Sequence, residues 1–92
     1  MSLAEALKSE MLEAKAVRAW CGDPDLCLAA YERTGGRVQH PLNRIKAVLD
    51  AARRSALFEQ HGYIRACDAT GRREVLHPVF KLKPDLVSDH QQ

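Results

Sequence analysis

The residues best suited to chemistry are arginines. Between positions 33 and 73 stand nine basic side chains: Arg33, Arg37, Arg44, Lys46, Arg53, Arg54, Arg65, Arg72 and Arg73. Only Asp50, Glu59 and Asp68 oppose them there. A guanidinium is a planar fork that meets phosphate or carboxylate oxygens two at a time. The chemistry this implies is recognition of an anionic surface, with no bond made or broken. Residues 1–32 have the opposite bias, with six acidic and three basic side chains. Such segregation along a short chain marks a working surface. The candidate contact residues are Arg33, Arg37, Arg53, Arg54, Arg65, Arg72 and Arg73. The competing reading is a solvated surface whose charges pair within the fold to Glu5, Glu10, Glu13 or Asp50. Such exposed pairs contribute little.

Other chemistries find less support. Cys21, Cys27 and Cys67 and the histidines at 40, 61 and 77 are scattered, without the close spacing of a zinc knuckle or finger. A cysteine and a histidine could meet in three dimensions, but nothing local marks an activated thiol. Gly35-Gly36 lacks the phosphate-loop pattern and follows no strand, so it reads as a helix stop. Glu10 and Glu13 suit a solvated helix face, and Asp23 and Asp25 suit a helix start. The expectation is a binding protein with no enzymatic activity, cofactor or metal.

Ninety-two residues, 46% of them hydrophobic and 28% charged, suit one folded domain. No apolar run reaches the roughly 18 residues of a membrane span. The start, Met1-Ser2-Leu3, lacks a basic region followed by an apolar one. The expected location is cytoplasmic, away from membranes. Three cysteines, an odd number, then read as buried free thiols acting as small hydrophobes.

Several elements must position the arginines. Ser2 and Glu5 have capping-box spacing, and Leu3, Leu7, Met11, Ala14, Val17 and Cys21 form one helical face that Gly22 would end. Asp23-Pro24 starts a second helix, with Leu26, Cys27, Ala30 and Tyr31 inward and Gly35-Gly36 as its stop. A connector, Thr34 to His40, leads to Pro41. The longest helix is expected from there to about Gly62, with Leu42, Ile45, Val48, Leu49, Ala52 and Ala56 on its apolar face. Arg54 would point away from that face, with Arg53 beside it. Leu57 and Phe58 fall off the stripe, so another element should cover them. Tyr63 to Cys67 and Val75 to Leu82 read as strands joined by the turn Asp68-Ala69-Thr70-Gly71. Leu76, Phe80 and Leu82 should share a face, and Pro78 should mark an edge or bulge.

The fold class is therefore α+β: one domain over residues 1–83, three helices then a C-terminal hairpin, with a tail over 84–92. The order is similar to a winged helix, whose third helix enters the DNA major groove. Against that use, the inter-helix link exceeds a tight turn, and only Asn43 and Gln60 could read bases. Taken whole, the chain resembles the small phage anti-CRISPR proteins directed at multisubunit type I surveillance complexes. The likeness lies in chain length, the missing catalytic signature and the charge segregation, and no motif carries a family residue across. It implies a stoichiometric inhibitor in the bacterial cytoplasm that blocks target-DNA binding by docking on Cas subunits. The arginine rim would meet guide-RNA phosphate or acidic protein, and the acidic first helix would meet basic DNA-binding grooves. Alternatives are a duplex-DNA-binding regulator and a phage DNA-packaging accessory protein.

Overall fold

A computed structural model describes residues 1–67 and 71–84. Its elements follow the expected order: α1 (Leu3–Ala14), α2 (Pro24–Thr34), α3 (Pro41–Arg54), β1 (Phe58–Cys67) and β2 (Glu74–Leu82). Three helices followed by an antiparallel hairpin make a small α+β domain.

The Ser2 hydroxyl caps α1, accepting from the Glu5 amide at 3.1 Å and donating to the Glu5 carboxylate. Ala4, Ala6, Leu7 and Met11 form its buried stripe. The helix ends about two turns earlier than its periodicity suggests. Lys15 turns left-handed (φ 55°), and the amides of Lys15 and Ala16 reach back to Leu12 and Met11. Val17, expected inward, is exposed. The reason is tertiary: the chain straightens so that Ala19 can exchange two 2.9 Å backbone hydrogen bonds with Phe80, adding a third strand position beside β2. Asp23 is not a side-chain cap for α2. Its carboxylate accepts from the Trp20 amide at 3.1 Å and closes the preceding turn.

α2 buries Cys27, Ala30 and Tyr31. The Tyr31 hydroxyl accepts from the Val38 amide at 2.8 Å, so the connector to α3 is held against α2. A Cβ on Gly36 would lie 2.3 Å from that hydroxyl, so this position needs glycine for close approach.

α3 stops at Arg54 and does not reach Gly62. Ser55 leaves helical geometry, and its hydroxyl accepts from the Leu57 amide at 3.1 Å. Ala56 is exposed and contributes nothing to a helical stripe. Phe58 is buried as the first residue of β1, opposite Leu82. Thus Leu57 and Phe58 fall off the helical stripe because they are no longer helix. Leu42, also expected inward, is half exposed.

β1 carries a bulge between Gln60 and Tyr63, with Gly62 at φ 69°. Pro78 pairs with Tyr63 beside this bulge, where a missing ladder donor is tolerated. Phe80 and Leu82 are buried, but Leu76 on the same side is 56% exposed. Around it, residues 61–67 and 74–77 are exposed or half-buried throughout, so the outer half of the hairpin stands clear of the helices as a wing. Of the expected turn, Asp68 to Thr70 lie outside the described residues, and Gly71 has φ 72°. The expected tail also lies outside them beyond Pro84.

One core joins all five elements, centred on Leu7, Met11, Cys27, Val48 and Phe80. Burial first, and Asp23 second, push the Cys27 thiol up to about 12 from 9.0. Below pH 9 this group stays protonated whether folded or not. Between about pH 9 and 12 the unfolded thiol ionises while the folded one does not, so stability falls, by a few kcal/mol at most. Denaturant titrations across that range should show a steeper loss for the natural chain than for Cys27→Ala.

Candidate interaction surface

The candidate arginines divide into two groups. Arg33 is occupied within the fold. Its Nε donates to Glu10 and its Nη2 to Glu13, both at 2.9 Å, tying α2 to α1. These hydrogen bonds hold its proton more tightly than usual. The pairing also uses two carboxylates of α1, so the acidic helix has less charge to offer a basic groove. Arg44, flanking the buried stripe of α3, is occupied as well. It donates to the Val38 carbonyl and lies 5.3 Å from the Tyr31 ring centroid.

Arg37, Arg53, Arg54, Arg65, Arg72 and Arg73 are exposed. Among the described residues, Arg53, Arg54, Arg65 and Arg73 form no ion pair. Arg53 and Arg54 occupy the last turn of α3, where cations favour the helix dipole. Lys46 lies two turns earlier, also exposed. Arg65, Arg72 and Arg73 belong to the wing or its tip. Helix end and wing therefore both present basic side chains, and Arg37 adds one from the pinned connector.

The wing also carries apolar surface. Arg65 pairs with Leu76 in the ladder, and Tyr63 pairs with Pro78, so strand alternation puts all four on one side. Tyr63 is 60% exposed. Tyrosine and arginine beside an exposed leucine match the composition of protein interfaces. Sequence pattern alone treats Leu76 as core, because nothing in the alternation says where the helical layer stops.

A cleft of about 530 Å³ opens between α3, the wing and the α1–α2 link. Leu42, Ile45 and Leu49 line one wall, Trp20 and Pro78 line the other side, and Lys46 and Asp50 supply charge. On its wall, Cys21 Sγ lies 2.9 Å from His77 Nδ1. His77 Nε2 is 3.4 Å from the Cys67 carbonyl, and its ring is tilted against Trp20, centroids 6.0 Å apart. The expectation of three buried thiols holds only for Cys27: Cys21 is half-buried and Cys67 exposed. Burial, then Asp23, push the Cys21 thiol up. Sequence reading does not find this pair, because its members stand 56 positions apart. Among the described residues no group of three or more metal-binding side chains converges, and no helix is long and apolar enough to cross a membrane.

No family matches this chain, and no curated protein or solved structure matches it either.

Proposed function

We propose that the chain is a non-enzymatic docking protein that acts on a ribonucleoprotein, and specifically a stoichiometric inhibitor of a type I CRISPR surveillance complex. The observation that supports docking is the wing face, where Arg65 sits beside Leu76 and Tyr63. A purely phosphate-binding surface has no use for exposed leucine, whereas a protein interface buries it. Arg53, Arg54 and Arg73 supply the charge that steers encounter and contacts acidic protein or guide-RNA phosphate. The inhibitor assignment itself rests on the whole-chain resemblance. In it the docked domain occludes the path of target DNA.

The experiment is capture with tagged protein from bacterial lysate containing the surveillance complex, with and without nuclease. The expected result is retention of Cas subunits after nuclease, with the complex losing target-DNA binding at equimolar inhibitor. Loss of every partner on nuclease treatment would refute it.

A second reading, duplex-DNA binding, is favoured by the wing and by Lys46, Arg53 and Arg54 on the exposed side of α3. It requires tight binding to naked duplex whose affinity falls steeply with salt.

A further inference from the structure

The geometry points to a thiol-modification site: Cys21 and His77 form a base-assisted pair on the wall of the α3–wing cleft that accepts a low-molecular-weight disulfide. Neither Cys21 nor His77 is among the contact residues of the docking surface proposed above.

Three observations carry it. The 2.9 Å contact between Cys21 Sγ and His77 Nδ1 is within hydrogen-bond reach for a thiol and a base. The imidazole is oriented by a third group, because Nε2 faces the Cys67 carbonyl at 3.4 Å. That arrangement fixes Nε2 as the donor and leaves Nδ1 as the acceptor for the thiol proton. Finally, the pair opens onto a cleft whose volume suits a small ligand, with Trp20 against the imidazole and Lys46 available to a carboxylate.

The chemistry class follows from what surrounds the sulfur. Attack on a disulfide sulfur needs a thiolate and expels a thiolate, and no oxyanion is stabilised along the way. Burial and Asp23 keep the resting thiol protonated. His77 is therefore required as the proton acceptor. In the step, Cys21 passes its proton to His77 Nδ1 and the thiolate attacks one sulfur of the disulfide. The new S–S bond forms as the old one breaks, and the departing thiolate takes the proton from the imidazolium. Cys21 is oxidised to a mixed disulfide, and half of the incoming disulfide is reduced to thiol. Asp23 on the link side opposes the anion that forms; Asp50 and Lys46, of opposite charge, line the same cleft from α3.

The test treats the full chain with oxidised glutathione and follows each cysteine by peptide mass mapping. Cys21 should be modified about tenfold or more faster in the natural chain than in His77→Gln, with Cys27 protected in both. Trp20 emission should change in step with Cys21. Circular dichroism of His77→Gln serves as the fold control. Equal Cys21 rates in the natural chain and in the folded variant would overturn the assignment.

Discussion

Replacing Arg53 and Arg54 together by glutamate is expected to abolish partner capture while leaving the domain folded. Both side chains are exposed in the last turn of α3. Neither forms an ion pair among the described residues, so no internal ion pair is broken. The cost to the fold is the reversed interaction with the helix dipole, about 0.3–1 kcal/mol per residue. The cost to binding is larger. A surface complementary to two cations meets two anions, and like-charge juxtaposition costs several kcal/mol. Affinity should fall at least about 100-fold, because about 1.4 kcal/mol is tenfold. Binding measured by titration calorimetry, with circular dichroism as the fold control, decides it. Normal binding by the double variant would make this helix end ordinary surface.

The other large effect falls on stability. Val48 is wholly buried at the middle of α3, within the core that joins all five elements. Val48→Asp places a carboxylate there with no partner: among the described residues no buried charged or polar residue is present to receive it. The penalty for an unpaired buried ion is several kcal/mol even after relaxation, and about 2 kcal/mol of apolar burial is lost as well. A domain of this size is held by roughly 5–14 kcal/mol. Thermal scans should show no cooperative transition for Val48→Asp. Val48→Ala, which removes only apolar contact, should keep a transition at lowered temperature. The contrast with the Arg53/Arg54 variant separates the two faces of one helix: one side holds the domain together, the other is the proposed contact side.

The Arg33 cluster tempers any argument from charge alone. Nine basic residues in one stretch look like a single surface in the sequence. In three dimensions Arg33 bridges to Glu10 and Glu13, and Arg44 turns back onto Tyr31 and the connector. Those two arginines serve the fold. Exposed pairs of this kind stabilise weakly, so their role is to fix how α1, α2 and the connector sit. The remaining arginines are candidates because their neighbours leave them exposed, a property that residue type does not encode.

Much of the fold was legible in local chemistry. The Ser2–Glu5 cap, proline at the first position of α2 and α3, the glycine stop after α2 and the 3.6-residue stripe of α3 act over a few residues. The bulge beside Pro78 belongs with them, because a residue without an amide hydrogen cannot complete a ladder. So does the basic character of the middle of the chain. What the tertiary structure decided depends on partners far away in sequence. α1 ends at Ala14 because Ala19 must reach Phe80, and α3 ends at Arg54 because Phe58 belongs opposite Leu82. Leu76 is bare because the hairpin outruns the helices. Cys21 meets His77 because the α1–α2 link lies along β2. Periodicity reports which side of an element is apolar. It carries no information about where the packing surface ends, and that boundary sets both the wing and the cleft.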